Sequence, residues 1–324
     1  MRSQSESFLS AARGLRANAP GAAPAMEALA RAGDADALMM VGEFRLRGLH
    51  GPRNLVKGFR MVASAADKGQ PEAEKAVIYL TAMGVGRKAN PALARSLLRQ
   101  LARRDRFAAI QDQLLDRVTC VGRARAMAPE VILADPAIKI WRGLFNEAEY
   151  GYLRHVANPF LEPAMIVDPA TGQGYLDPVR NSDTTAVPMI AEDLIVQAIE
   201  QAIAEASGTR VDQGEALTIL RYGPSQQYHP HYDAYDEGHP TPQRQKTALI
   251  WLNSEYEGGE THFPRLGLTV RGMPGDMLVF DNLGPDGRRD DRMEHAGLPV
   301  TRGEKWLASR WITVANLLEL PRVD

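Results

Sequence analysis

One cysteine in 324 residues, Cys120, leaves this chain without any intramolecular disulfide framework. Such thiol economy fits a reducing compartment, so a cytoplasmic protein is expected. No apolar run approaches the roughly 20 residues needed to span a membrane, and no membrane partner is expected. The first residues, from Met1 to Arg13, lack the continuous apolar stretch of a secretory signal, although their Ser/Arg content is weakly similar to a transit peptide. Charge of either sign is not in excess: 38 basic against 40 acidic side chains give a formal net charge of -2. No global field therefore recruits nucleic acid or an anionic membrane, and nucleic acid is not the expected substrate.

What is present is an ordinary soluble composition, with 44% hydrophobic and 24% charged residues, in a chain long enough for two domains. The N-terminal third repeats itself. Gly33-Asp-Ala-Asp-Ala37, Gly69-Gln-Pro-Glu-Ala73 and Asp105-Arg-Phe-Ala-Ala109 are spaced 36 residues apart, as are Gly48 and Gly84, and Asn54 and Asn90. A fixed period of this size means stacked helical hairpins, each covering its neighbour's apolar face. Ala63, Ala65 and Ala66 would let helices approach closely before a glycine stop at Gly69. The pattern resembles Sel-like repeats, relatives of the tetratricopeptide repeat that commonly scaffold protein contacts. Two roles stay open: a platform for a protein partner, or a helical cap that binds nothing.

Gln111 to Ala134 mixes helical and extended signals and is expected to connect the parts. Asn146 and Glu149 have capping-box spacing and should start a helix. A second helix is expected from about Ala191 to Ala206, with Ile195, Ile199, Ala202 and Ile203 on one stripe before Gly208. From Glu215 onward the apolar period falls to two, and strands are expected at about 216–222, 246–253, 275–281 and 304–314. Antiparallel strands with polar residues pointing inward at chosen places argue for a jelly roll with a ligand in its mouth.

The last third also carries a metal pattern. His231-Tyr-Asp233 is followed at a long interval by His295, and Lys305 comes ten residues later. Two imidazoles and a carboxylate suit Fe(II), because they hold one face of an octahedron and leave three positions for a bidentate substrate and dioxygen. A lysine beyond the second histidine can neutralise the far carboxylate of such a substrate.

The surrounding words are Leu-Arg-Tyr222-Gly-Pro-Ser-Gln-Gln-Tyr228-His-Pro-His231-Tyr-Asp233, Gly258-Gly-Glu-Thr261-His-Phe-Pro264 and His295-Ala-Gly-Leu-Pro-Val-Thr-Arg-Gly-Glu-Lys305-Trp. Together they resemble the catalytic domain of prolyl 4-hydroxylases, 2-oxoglutarate-dependent Fe(II) dioxygenases, over about Pro136 to Leu318. The resemblance implies an α+β chain. Residues 1–125 would form an α-helical Sel-like repeat region, and 126–324 a double-stranded β-helix (jelly roll) dioxygenase domain with buttressing helices. It implies Fe(II) on His231, Asp233 and His295, and 2-oxoglutarate held by Lys305, Tyr222 and Thr261 with Trp311 behind it. Decarboxylation to succinate would drive the reaction, with ascorbate as reductant. Tyr228 and Arg180 match positions near the family's peptide groove, so a proline-containing peptide or protein is the implied substrate. A free amino acid or other small molecule, or a non-catalytic sensor, are the alternatives. Related halogenating enzymes have a small residue at the position of Asp233, so the aspartate implies hydroxylation. Ser225 departs from the family, where glycine is common.

The remaining histidines are rivals for the metal. His229 shares the parity of His231, whereas His262 should face away if Thr261 faces the pocket. His50, His155 and His239 lie outside the pattern. Alternation sends Lys305, Leu307, Ser309 and Trp311 to one wall of the last strand, with Trp306, Ala308, Arg310 and Ile312 behind it. The segment from Asp233 to Gln245 reads as a covering loop or a plain connection.

Overall fold

The computed structural model describes residues 4–167, 174–176 and 179–319. Met1–Ser3 at one end and 320–324 of the expected dioxygenase domain lie outside the described residues. Among those described, one unit takes in 4–115 and Met189–Leu194, and a second takes in 116–188 and 195–319.

The first unit is helical, and the 36-residue period turns out to mark helix ends, with the third cap, Asp105, falling one residue early. Asp34, Gln70 and Asp105 cap successive equivalent helices, Ala35–Arg47, Pro71–Met83 and Arg106–Leu115, accepting from the backbone N–H of Ala37, Ala73 and Ala108. Asn54 and Asn90 do the same for the alternate helices Leu55–Asp67 and Pro91–Leu101. Gly48 and Gly84 terminate theirs in the left-handed conformation, at φ 76° and 80°, where a side chain would be strained. Each cap satisfies backbone groups that a helix end would otherwise leave unpaired.

The tight approach between helices comes at Gly42 and Gly58 rather than at the expected alanines. A Cβ on Gly58 would lie 2.7 Å from Leu46 Cγ and 2.9 Å from the Gly42 carbonyl oxygen. Ala65 is buried, but as part of the core around Met26, Leu46, Val62 and Leu80. Met189 and Ile190 pack against this same core, and Gln111 links Tyr79 to Asp193 through a buried hydrogen-bonded chain of 3.2 and 3.0 Å.

The segment expected to connect the parts, Gln111 to Ala134, is divided between them. Gln111 lies in the last helix of the first unit, while Cys120–Ala126 and the strand Glu130–Leu133 belong to the second. The unit boundary therefore falls at 115/116 instead of 125/126. The buried Glu149 carboxylate is the physical reason: it accepts from the N–H of Thr119 (2.7 Å) and Cys120 (2.8 Å) and pairs with Arg123. That same residue closes the capping box with Asn146, opening the helix Glu147–Ala157. The second expected helix runs Leu194–Ser207, starting later than Ala191 because Met189–Ala191 forms a 3-10 turn.

Two antiparallel sheets build the second unit's core. Across the larger, the strands follow the order Glu130–Leu133, Ile138–Trp141, Met277–Asp281, Arg244–Trp251, Lys305–Thr313, Thr218–Tyr222, Asp183–Ala186 and Glu162–Pro163. The smaller runs Leu268–Val270, Thr261–Phe263, His295–Gly297 and Tyr228–His231. Period-two patterning marks the four long strands of the larger sheet within a residue or two; the short strands of the smaller one carry too few residues to show a period. Trp251, Phe263, Phe280 and Leu307 contribute to a common apolar core. Behind the larger sheet, Arg310 meets Glu200 at 3.4 Å in a buried ion pair with the helix Leu194–Ser207.

Candidate active site

His231 and His295 are direct partners on adjacent antiparallel strands of the smaller sheet, and Asp233 follows two residues after His231. One ligand atom from each of the three lies within 4.8 Å of the others. Strand parity alone does not produce this. Between the partners Gly297↔Tyr228 and His295↔His231, one strand advances two residues and the other three, so a bulge sits at His229-Pro230. Tyr228 and His231 thereby face the cavity together, while His229 is exposed. Pro230 lacks the N–H a regular ladder would require. His262 turns away and contacts Thr269 Oγ1 through its Nδ1 at 2.9 Å. His155 is exposed, His239 stacks on Tyr235 and His50 packs edge-on against Phe44.

The two imidazoles are oriented from behind. Nδ1 of His231 lies 2.8 Å from the His229 carbonyl oxygen, and Nδ1 of His295 lies 3.0 Å from that of Met293. A carbonyl only accepts, so each Nδ1 carries the proton and each Nε2 offers its lone pair. Those Nε2 atoms stand 3.6 and 3.4 Å from the two oxygens of Asp233. Burial would raise the Asp233 carboxyl, but the imidazoles outweigh it and hold the group well below the ordinary carboxylate value. Burial lowers His231; at His295 the Asp233 charge overcomes burial and raises the imidazole above its ordinary 6.5. A charged carboxylate between two nitrogen donors is a cation site, and this donor set suits Fe(II).

Across the cavity, Lys305, Leu307, Ser309 and Trp311 line one wall, as alternation implies, with Tyr222 and Thr261 beside them. Lys305 is buried, with its ammonium against the Gly259 carbonyl and 5.5 Å from the Tyr222 ring centroid; among the described residues no carboxylate pairs with it. Burial pushes its amine down to about 7, with Glu260 partly opposing. Gly258 and Gly259 adopt φ 71° and 70°, and a Cβ on Gly259 would come within 3.0 Å of Lys305 Cδ, so the Gly-Gly word makes room for this lysine. A buried ammonium without a carboxylate partner invites an anion. Trp311 carries the Arg244 guanidinium 4.1 Å above its ring, and Arg244 is itself held by both oxygens of Glu215.

Tyr228 stacks on the His231 ring at 3.5 Å, and the Arg180 guanidinium lies 5.5 Å from the Tyr228 ring. Ser225, the departure from the family, adopts φ 67°, the backbone region that favours the glycine common there. Two residues escaped the sequence reading. Thr247 donates to Asp233 Oδ2 at 2.6 Å, and Asn282 Nδ2 donates to Thr247 Oγ1 at 2.9 Å. The available signal was a lone threonine in the apolar run Ala-Leu-Ile-Trp-Leu.

Fold and site together define an Fe(II)/2-oxoglutarate oxygenase. A model of the 2OG-Fe(II) oxygenase superfamily matches residues 217–313, which hold the three metal-site residues and Lys305. Prolyl 4-hydroxylase 1 of Arabidopsis thaliana is 34% identical over 201 residues, covering 57% of this chain and 71% of the relative. Probable prolyl 4-hydroxylase 3 from the same plant is 31% identical, covering 62% and 77%. A viral collagen prolyl hydroxylase from Paramecium Bursaria Chlorella virus-1, solved as a 2-oxoglutarate complex, is 27% identical at a TM-score of 0.45, covering 55% of this chain and 96% of that one. The chain belongs to the prolyl 4-hydroxylase family and is a 2-oxoglutarate-dependent dioxygenase.

Proposed function

We propose that this enzyme hydroxylates a prolyl residue in a peptide or protein, converting 2-oxoglutarate to succinate and CO2. The observation that carries the site's chemistry is a buried Lys305, with no carboxylate partner among the described residues, across the cavity from the His231/Asp233/His295 face. With iron bound, the centre supplies dioxygen activation and the oxidising power to hydroxylate a C–H bond. The chain's own residues do the rest. His231, Asp233 and His295 hold the metal, Lys305 neutralises the far carboxylate of the cosubstrate, and Thr261 and Tyr222 donate hydrogen bonds to it. Trp311 and Leu307 close the back of the cavity against water. Tyr228 and Arg180, at the bulged edge, form the substrate side. Ascorbate is the reductant that restores enzyme lost to uncoupled turnover.

The helical unit, read as Sel-like repeats, recruits the protein substrate or a companion protein. Residues 1–115 carry 18 basic against 10 acidic side chains, whereas the rest of the chain carries 20 against 30, so the partner is acidic. A cytoplasmic location rests on the single cysteine. The test is mass spectrometry of proline-containing peptides and cell proteins incubated with the full-length enzyme, Fe(II), 2-oxoglutarate, ascorbate and oxygen. Hydroxyproline with matching succinate supports the reading. Succinate formation that responds only to a free amino acid would replace it with a small-molecule hydroxylase.

A further inference from the structure

Asp233 has two oxygens and a metal on this face needs one of them. Its side chain is buried, so the orientation of the carboxylate is set by what it touches. On one side the Thr247 hydroxyl lies 2.6 Å from Oδ2. Thr247 is itself 1% exposed, on the strand Arg244–Trp251, which pairs with Met277–Asp281 on one flank and Lys305–Thr313 on the other. Its position is therefore dictated by two ladders.

A hydroxyl has one proton to give, and Asn282 decides where it goes. The Asn282 amide nitrogen donates to Thr247 Oγ1 at 2.9 Å. With that lone pair taken by a donor, the hydroxyl proton turns to the ionised carboxylate, which can only accept. Asn282 is equally buried, and its Oδ1 has no hydrogen-bond partner among the described residues, so the amide is held in the interior for its donor side. Leaving a buried acceptor unsatisfied costs on the order of 1 to 3 kcal/mol, a loss that a merely space-filling residue would not incur. The backbone anchors Asn282 at both ends: its N–H donates to the Gln245 carbonyl at 2.8 Å and its carbonyl accepts from Asp290 at 3.0 Å.

We infer that Asn282 and Thr247 are positioning residues that hold Oδ2 of Asp233, the oxygen 3.4 Å from His295 Nε2, and so fix the orientation in which the carboxylate meets a metal, with Oδ1 turned toward His231. This rests on the reading of His231, Asp233 and His295 as the metal site. Without the hydroxyl, the carboxylate is free to rotate or to engage a cation through both oxygens, closing a position that the cosubstrate or dioxygen requires.

The experiment is an anaerobic Co(II) titration of the full-length protein, followed by visible absorption, for wild type, Thr247→Val, Thr247→Ser, Asn282→Ala and the double variant Thr247→Val/Asn282→Ala. Partners behind metal ligands typically contribute tenfold to hundredfold in affinity, and about that loss is expected for Thr247→Val, which keeps shape and removes the proton. Thr247→Ser should bind close to wild type. Asn282→Ala should weaken binding less than Thr247→Val, and the double variant should be no weaker than Thr247→Val alone, because Asn282 acts through the hydroxyl. Wild-type affinity in a folded Thr247→Val, or independent additive losses in the double variant, overturns the inference. Should Thr247→Val fail to fold, a Thr247→Ser as weak as Asn282→Ala overturns it and an intact Thr247→Ser with a weakened Asn282→Ala sustains it. A wild-type protein that binds no Co(II) overturns the metal-site reading itself, and this inference with it.

Discussion

At the scale of single residues, a carboxylate between two imidazoles stands across one cavity from a buried lysine. Lys305→Ala should leave metal affinity nearly unchanged and raise the 2-oxoglutarate requirement, because the role proposed for its ammonium is to hold the carboxylate that would lie furthest from iron. Truncating one partner of a buried charge pair typically costs about 2 to 5 kcal/mol, roughly a thirtyfold to several-thousandfold loss in affinity. An anaerobic titration of the Fe(II) enzyme with 2-oxoglutarate measures it; an unchanged curve removes Lys305 from the site. The depressed amine also fixes a pH dependence. Between about 7 and the ordinary 10.5, the empty native state holds Lys305 neutral while the unfolded chain protonates it. Stability of the ligand-free protein therefore rises with pH through that window, and below it both states are charged and the burial penalty is constant. On the role proposed for Lys305, cosubstrate binding would need the ammonium and run the other way, weakening by up to about tenfold per pH unit above 7. His295 acts with opposite sign on metal binding: its raised imidazole must lose a proton to ligate, so Co(II) affinity should climb as pH rises through that titration and then level. Alanine at His231, Asp233 or His295 should abolish metal binding, and His262→Ala should not.

Elements explain which histidines meet Asp233 at the cavity. Alternation treats His229 and His231 alike, and the bulge at His229-Pro230 separates them, pairing His231 with Tyr228 instead. The helical repeat shows the same level of control at Gly42 and Gly58. Alanine is the better helix former by about 1 kcal/mol, yet at Gly58 its Cβ would meet a backbone carbonyl at 2.9 Å that cannot move aside. Overpacking of this kind typically costs about 1 to 3 kcal/mol, so Gly58→Ala should lower the melting temperature despite its propensity gain. A calorimetric scan of the variant decides, and a rise in melting temperature would show that the helices can separate at no cost.

Over the whole molecule, the chain leaves the dioxygenase unit at Met189, contributes six residues to the helical unit and returns at Ile195. A fragment beginning at residue 116 would keep every proposed ligand together with Thr247 and Asn282. It would lose the helices against which Met189 and Ile190 pack and the Gln111 amide that donates to Asp193. Such a fragment should bind Co(II) but also bind an apolar dye and melt lower than the full chain, which fluorescence and calorimetry would register. A fragment that no longer binds metal would give the helical unit a part in building the site. The net charge of -2 also hides a division that matters at this scale, between a basic helical region and an acidic remainder.

Much of this protein is legible in its sequence alone. The capping box at Asn146 and the four long strands are local, set by hydrogen bonds or periodicity within a few residues, and the repeated spacing of cap residues and the order of His231, Asp233, His295 and Lys305 are patterns along the chain that composition and spacing encode directly. Other features required the fold. The bulge that selects His231 over His229 exists only against its partner strand, and the Thr247–Asn282 chain joins residues 35 apart, one inside a strand and the other just past the end of the neighbouring strand. The Gly42–Gly58 contact joins two helices, and Met189–Leu194 enters the helical unit because its apolar residues find cover there. Such contacts are decided by which surfaces meet in three dimensions, and a sequence read along its length carries no record of that meeting.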